Sequence, residues 1–381
     1  MRQSIALMGC LMASLFAAIS VARAQDGNEA ARAVFAPVVK EHAIPGLIVG
    51  ITRNGKHSFY LSGLASKADR RAVTPDTLFE LGSISKIFTV TLAALAEERG
   101  KLRLDDTLAQ HLCAGAWTTS GDLTLMDLAT HRSGGLPLQV PNGIKTVDGL
   151  ARWLKSWQPP KPGARSYSNI SIGLLGHVTG KALDMPYKQA VQTVLFPAFG
   201  LENSWIDVPK RQMALYAYGY DWRSGAPIRV NPGLLDAEAY GVKSSARDML
   251  QLLDVELGHA DAPKELRKAI ARTREPQYRT AFFTQDMIWE QYPWPVGLER
   301  MVAGNGPDMI MTPQPVEALD PAARAGDPVI LNKTGSTNGF GNYIAMVPSE
   351  RLGVVMLANK NIPIEARVRA TYALIKALLG P

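Results

Sequence analysis

The sequence predicts an α+β fold in which one antiparallel sheet flanked by helices is built from both ends of the chain, with a mainly helical lobe inserted between them. Hairpin strands near the front, a helix-rich middle, and late strands closed by a helix carry this expectation. At 381 residues, 46% hydrophobic and 20% charged, the chain can bury a sizeable core shared by two packed lobes. The expected boundaries are residues 25–81 and 202–381 for the sheet-bearing lobe and residues 82–201 for the helical lobe.

The first 24 residues stand apart. Met1-Arg2 carries a positive charge, Ile5 to Ala18 is largely apolar, and Ala22-Arg23-Ala24 places small residues where a signal peptidase reads them. Cleavage is therefore expected after Ala24, with export to the periplasm. Leu7-Met8-Gly9-Cys10 resembles a lipoprotein box. Its apolar run of about five residues is shorter than the roughly 7 to 15 of an export core, which disfavours a lipid anchor. No later stretch reaches the roughly 18 apolar residues of a spanning helix, so no membrane span is expected. Loss of Cys10 leaves Cys113 without an intramolecular disulfide partner, and between Leu112 and Ala114 it reads as a small buried hydrophobe.

From Gly46 the pattern is strand, turn, strand. Leu47 to Thr52 is β-rich, Asn54-Gly55 is a hairpin dipeptide, and His57 to Leu61 alternates polar and apolar residues, so a hairpin is expected to begin the domain. A helix follows from Ser83, a good N-cap residue, with Ile87, Val90, Ala94 and Leu95 near a 3.6-residue period and Gly100 as its stop. Helical segments dominate from Leu102 to Leu201, interrupted by Ser133-Gly134-Gly135 and by Pro159 to Gly163. Short apolar runs at Pro328 to Asn332, Asn342 to Val347 and Leu352 to Leu357 read as strands, followed by a helix from Glu365 to Leu378.

The net charge of +7 falls to +5 once Arg2 and Arg23 are removed, and the remaining cations are scattered. That excludes nucleic acid as the expected partner and points to a small-molecule substrate. The six histidines, at 42, 57, 111, 131, 177 and 259, form no metal-ligand spacing, so neither metal nor cofactor is expected. No Gly-x-Ser-x-Gly elbow accompanies them, which disfavours a Ser-His-Asp hydrolase. Nothing in the sequence points beyond a monomer.

Ser83-Ile84-Ser85-Lys86 places a hydroxyl and an amine three residues apart on one helix face. A serine becomes a good nucleophile only when a base takes its proton, and a lysine can do so only when burial or another cation lowers its pKa. Alone, a Ser-x-x-Lys string occurs about once by chance in a chain of this length and usually marks a capped helix. Tyr167-Ser168-Asn169, in a loop, and Lys333-Thr334-Gly335, at a strand end, change that reading. Tyr167 can accept the serine proton if Lys86 and Lys333 flank it. Asn169 can orient Lys86 or a substrate carbonyl, Lys333 and Thr334 can meet a carboxylate, and Gly335 lets the strand edge approach a ligand. Whether Tyr167 or Lys86 acts as the base is left open, because their protonation would be coupled.

Longer stretches sharpen the pattern: Gly135-Leu136-Pro137-Leu138-Gln139-Val140-Pro141, Leu235 to Ser244, and Leu357-Ala358-Asn359-Lys360-Asn361. With the three short motifs they resemble the class C (AmpC-type) serine β-lactamases over essentially the whole mature chain, Tyr167-Ser168-Asn169 standing where other families carry Ser-Asp-Asn. The resemblance implies a β-lactamase and penicillin-binding-protein fold. It also implies cephalosporinase-type hydrolysis of β-lactam antibiotics through a serine acyl-enzyme, conferring resistance. Ser83, Lys86, Tyr167 and Lys333 would be catalytic. Gln139 and Asn169 would hold the substrate acylamide, Tyr240 would wall its side chain, and Asn361 would help bind its carboxylate. Ser336 would contribute its backbone N–H, paired with that of Ser83, to an oxyanion hole, its side chain not being implicated. Thr130-His131-Arg132 and Thr284 to Glu290 depart from the family pattern, which bears on substrate range more than on reaction type.

Two enzymes share the first motif, a penicillin-binding D,D-peptidase and a β-lactamase-like esterase. Lys333-Thr334-Gly335 argues against the esterase, and the Gln139 and Tyr240 segments argue against the peptidase. A penicillin sensor that stays acylated is the non-enzymatic alternative.

Overall fold

The computed structural model describes residues 27–112, 119–319 and 328–380. The expected leader and Cys113 lie outside them.

Ten strands form one antiparallel sheet. Its order is Glu317–Ala318, Tyr278–Arg279, Thr284–Gln285, Glu290–Pro293, Val329–Ser336, Gly341–Val347, Leu352–Ala358, Gly46–Arg53, Lys56–Ser66 and Arg71–Ala72. The N-terminal hairpin thus lies beside the last strand, Leu47 pairing with Ala358 and Ile51 with Val354. At the turn of that hairpin Asn54 and Gly55 take φ values of 54° and 73°, the left-handed pair that a two-residue connection needs.

The central strands are buried on both faces, and alternate residues separate into two cores. Leu47, Val49, Val354, Met356, Tyr343 and Ala345 belong to one, with Phe35 of the helix at residues 27–41 and Val368 and Leu374 of the helix Ile364–Leu379. Ile48, Val355, Ile344, Met346 and Leu331 belong to the other, with the helices Lys86–Glu98, Asn169–Ala182 and Ala246–Glu256. Because Leu331 and Lys333 are two residues apart on one strand, Lys333 faces the helices. Among the described residues no strand occurs between Glu80 and Gly219.

Two expectations are corrected. A helix at residues 27–41 precedes the hairpin, so the hairpin does not begin the domain. Ser83 is not an N-cap: Gly82–Ser85 forms a 3₁₀ turn without a side-chain cap, and the α-helix begins at Lys86. Residues 86 to 96 of that helix are all buried, so tertiary packing rather than a cap holds it.

Candidate active site

Ser83 stands in the 3₁₀ turn against the end of the strand Val329–Ser336. Two glycines permit the approach. A β-carbon on Gly82, whose φ is 57°, would fall 2.4 Å from the Ser336 nitrogen, and one on Gly335 would meet the Leu81 carbonyl. The backbone around Ser83 and Ser336 is thus brought together as two N–H groups serving one oxyanion require.

The helix Asn169–Ala182 supplies the second side. Ser168 caps it, its hydroxyl accepting from the N–H groups of Ile170 at 3.1 Å and Ser171 at 3.3 Å. Tyr167 immediately before the cap and Asn169 just after it are fixed by the same turn.

Lys86 Nζ donates to Ser83 Oγ at 3.0 Å, to Asn169 Oδ1 at 2.7 Å and to the Ala239 carbonyl at 2.8 Å. Three acceptors use all three ammonium protons, which lets a fully buried lysine keep a charge. Burial lowers its pKa to about 8, aided by Lys333 and opposed by Tyr167. Burial also works against a Tyr167 phenolate, but Lys333, Lys86 and a hydrogen bond from Ser83 outweigh it and bring the phenol down to about 8. The two ammonium nitrogens each lie 5.2 Å from the centre of the Tyr167 ring. Tyr167 and Lys86 therefore titrate together near neutrality, as proton handling requires.

Above this floor opens a cleft of about 360 Å³, walled by Ser83, Gln139, Asn169, Tyr240, Ser336 and Asn361 among others. Six residues singled out in the sequence thus share one wall system. Lys86, Tyr167 and Lys333 lie beneath it. Thr334 and Gly335 do not line it: Thr334 is buried in the strand, and Gly335 packs on the Ser83 turn. A wider groove of about 770 Å³ between residues 177–188 and 233–238 contains no serine and neither Lys86 nor Lys333, so its size does not make it the reacting site.

Sequence reasoning missed the buried charges that brace the site. Glu290 Oε1 lies 3.5 Å from Lys333 Nζ and 3.7 Å from Arg165 Nη2. Arg367 donates to the Gly335 carbonyl at 3.0 Å, to Ser336 Oγ at 2.9 Å and to Asn361 Oδ1 at 2.5 Å, joining both sides of the cleft's far end. Burial pushes this guanidinium down to about 9. Glu80 accepts from Tyr216 Oη, the Val230 N–H and Thr337 Oγ1. Glu80 and Glu290 each follow large apolar residues, Phe79 and Trp289, and a lone acid in such a run was the available signal.

A serine in contact with a buried lysine and tyrosine, beside the end of a strand, is the arrangement of an acyl-transfer centre of the serine β-lactamase and penicillin-binding type. The β-lactamase family model matches residues 31–379, and the chain belongs to that family. It is similar to a β-lactamase of Pseudomonas fluorescens, 41% identical and covering 93% of this chain and 99% of that one. It is also similar to a class C β-lactamase from Rhodobacter sphaeroides, at 62% identity and a TM-score of 0.89, covering 92% of this chain and 99% of that one. A class C β-lactamase in complex with cefoxitin is 37% identical, with a TM-score of 0.88 over 93% of this chain and 99% of that one.

Proposed function

We propose that the protein hydrolyses β-lactam antibiotics as a class C enzyme, with a cephalosporinase-type preference, and so confers resistance to them. The observation that carries this is the Tyr167 ring set between the Lys86 and Lys333 ammonium groups beside Ser83.

Ser83 Oγ attacks the lactam carbonyl carbon, and the backbone N–H groups of Ser83 and Ser336 receive the oxyanion. The carbonyl C–N bond then breaks. The serine proton passes through the coupled Tyr167 and Lys86 pair to the departing nitrogen, leaving an ester on Ser83. Water attacks that ester with the same pair as base, releasing the ring-opened acid and restoring the serine hydroxyl. Gln139 and Asn169 hold the acylamide, Tyr240 walls the side chain and Asn361 meets the substrate carboxylate, a reading supported by their lining one cleft with Ser83. Lys333 supports the Tyr167 phenolate from below, and Thr334 and Gly335 complete the strand edge. No cofactor enters this chemistry.

Residues 1–24 support export to the periplasm with cleavage after Ala24, and the mature enzyme acts as a monomer of two lobes, residues 25–81 with 202–381 and residues 82–201. Nitrocefin turnover, compared with turnover of a p-nitrophenyl ester and of a D-Ala-D-Ala peptide, tests the reaction. Ser83→Ala is expected to abolish nitrocefin hydrolysis while leaving the thermal melt intact. A stable penicilloyl adduct on the native chain, seen by intact mass without turnover, would refute hydrolysis in favour of a sensor.

A further inference from the structure

Tyr167 sits in an irregular loop, yet its phenol must stay between two cations. His131 stacks on Tyr167 with ring centres 4.3 Å apart and planes inclined by 42°. Its carbonyl accepts from the Ser166 N–H at 2.7 Å, and its Nδ1 accepts from the Ser168 N–H at 3.3 Å. One residue therefore grips the chain before Tyr167, after it, and on the face of its ring.

The tether fixes the chemistry of the imidazole. A backbone N–H can only donate, so Nδ1 carries a lone pair and the ring proton lies on Nε2. Nε2 is buried and has no hydrogen-bond partner among the described residues. His131 also has a φ of 62°, in the left-handed region. A strained backbone and an unpaired donor in one fully buried residue are costs that filling space does not explain. Burial, then Arg165, Lys86 and Lys333 in that order, oppose a charge on the ring. A neutral ring can stack on a phenolate-forming tyrosine without adding to the cations already beside it, Lys86, Lys333 and Arg165.

We propose that His131 is a positioning residue for Tyr167, clamping Ser166 to Ser168 so that the phenol stays between Lys86 and Lys333. The proposal rests on the acyl-transfer reading of the site, in which Tyr167 handles the serine proton. The groups that face Tyr167 are Lys333, Lys86, Arg165, Glu290, His131 and the Ser83 hydroxyl, and those that face His131 are Arg165, Lys86, Lys333 and Tyr167.

The test uses His131→Ala, His131→Asn and His131→Phe in the full chain, with two measurements. Nitrocefin kinetics per folded molecule give kcat, KM and the pH profile. Near-ultraviolet tyrosinate absorbance, taken as a difference against Tyr167→Phe, reports the Tyr167 titration without any turnover. In the native chain the midpoint is expected near the value of about 8 set by its two cations. In His131→Ala kcat is expected to fall about 10- to 100-fold with little change in KM, because small misplacements of a proton-handling group have effects of that size. The Tyr167 midpoint should rise by about one pH unit as the phenol leaves its cations. His131→Asn restores an acceptor for Ser168 and tolerates the left-handed backbone, so it should recover part of both losses. His131→Phe keeps the stack but not the acceptor and should fall between.

A native midpoint in His131→Ala, with or without lost kcat, overturns the proposal. If that variant does not fold, native kinetics and midpoints in both His131→Asn and His131→Phe overturn it, and an upward shift in either supports it. If the native chain fails to turn over nitrocefin, the reading of function fails, while the tyrosinate titration still decides the role of His131.

Discussion

Two clusters of buried charge lie against the same sheet, and only one of them is equipped for chemistry. Around Ser83, Lys86 is fully buried and all three of its protons have acceptors, and Lys333 has Glu290 beside it. The other cluster lies further along, where Arg274 pairs with the buried Glu256 and touches Met346 of the strand Gly341–Val347 at 3.8 Å. Asp286 feels the same guanidinium, yet neither of its carboxylate oxygens has a hydrogen-bond partner among the described residues. Both clusters cost stability to bury. The first places paired cations around a nucleophile at the floor of a cleft, whereas the second encloses an acid that has nothing to act on. A perturbed pKa therefore marks a functional site only where a cleft and a nucleophile accompany it.

The comparison breaks first at Lys86. Lys86→Ala removes one of the two cations that hold Tyr167 low and should cut nitrocefin turnover about 10²- to 10⁴-fold, the span of general acid–base catalysis. Steady-state kinetics on protein with a native circular dichroism spectrum reads this directly. Arg274→Met should do the reverse. It strands Glu256 without its cation and should cost about 3 kcal/mol in urea unfolding. Turnover per folded molecule should stay within about twofold of native. A loss of turnover comparable to that of Lys86→Ala would show that the two clusters are one.

Asp286 gives a smaller effect with a definite sign. Burial raises its pKa well above the usual carboxylate value. The folded chain keeps this proton after the unfolded chain releases it, so its contribution to stability is fully present below about pH 4 and is lost as pH rises through the folded value. Asp286→Asn, which has nothing to ionise, should therefore stabilise the protein by about 1 to 2 kcal/mol near pH 7 and hardly at all below about pH 4. Urea unfolding at the two pH values checks it, and an equal gain at both would mean that Asp286 is not the source.

How much of this was legible in the sequence follows the range of the interactions. The hairpin, the late strands and the last helix were readable because period and turn residues are local: Leu47 to Thr52 against the observed Gly46–Arg53, and Glu365 to Leu378 against Ile364–Leu379. Ser83, Lys86, Tyr167 and Lys333 were legible because their motifs are fixed strings, and the fold sets them around one point. The helix at residues 27–41 was missed beside the leader signal. Glu290 and Arg165 were missed because their partners lie far away in the chain, as in the contact of Arg165 with Gln285 at 2.8 Å, and Arg367 because its contacts with Gly335 and Ser336 form only when the last helix packs on the sheet. Ser83 suggested a cap because its type favours one. Its turn is instead set by Gly82 packing on Ser336, a contact between residues over 250 positions apart.

The smallest expected effect, at Glu290, separates two roles for one carboxylate. Its negative charge opposes the Tyr167 phenolate and raises that pKa, while its contact with Lys333 Nζ at 3.5 Å holds in place a cation that lowers it. Glu290→Gln removes the charge and keeps the shape. If the direct charge effect dominates, Tyr167 ionises more readily, and the acidic limb of the kcat/KM profile, which reports loss of the phenolate, moves to lower pH by about half a unit. If Glu290 chiefly anchors Lys333, the ammonium drifts from the ring and the limb moves to higher pH. We expect the downward shift, because Lys333 is almost fully enclosed by the strand and the Tyr167 ring and has little room to move. The sign of the shift in a nitrocefin pH profile, with Lys333→Ala as the upward reference, decides between them.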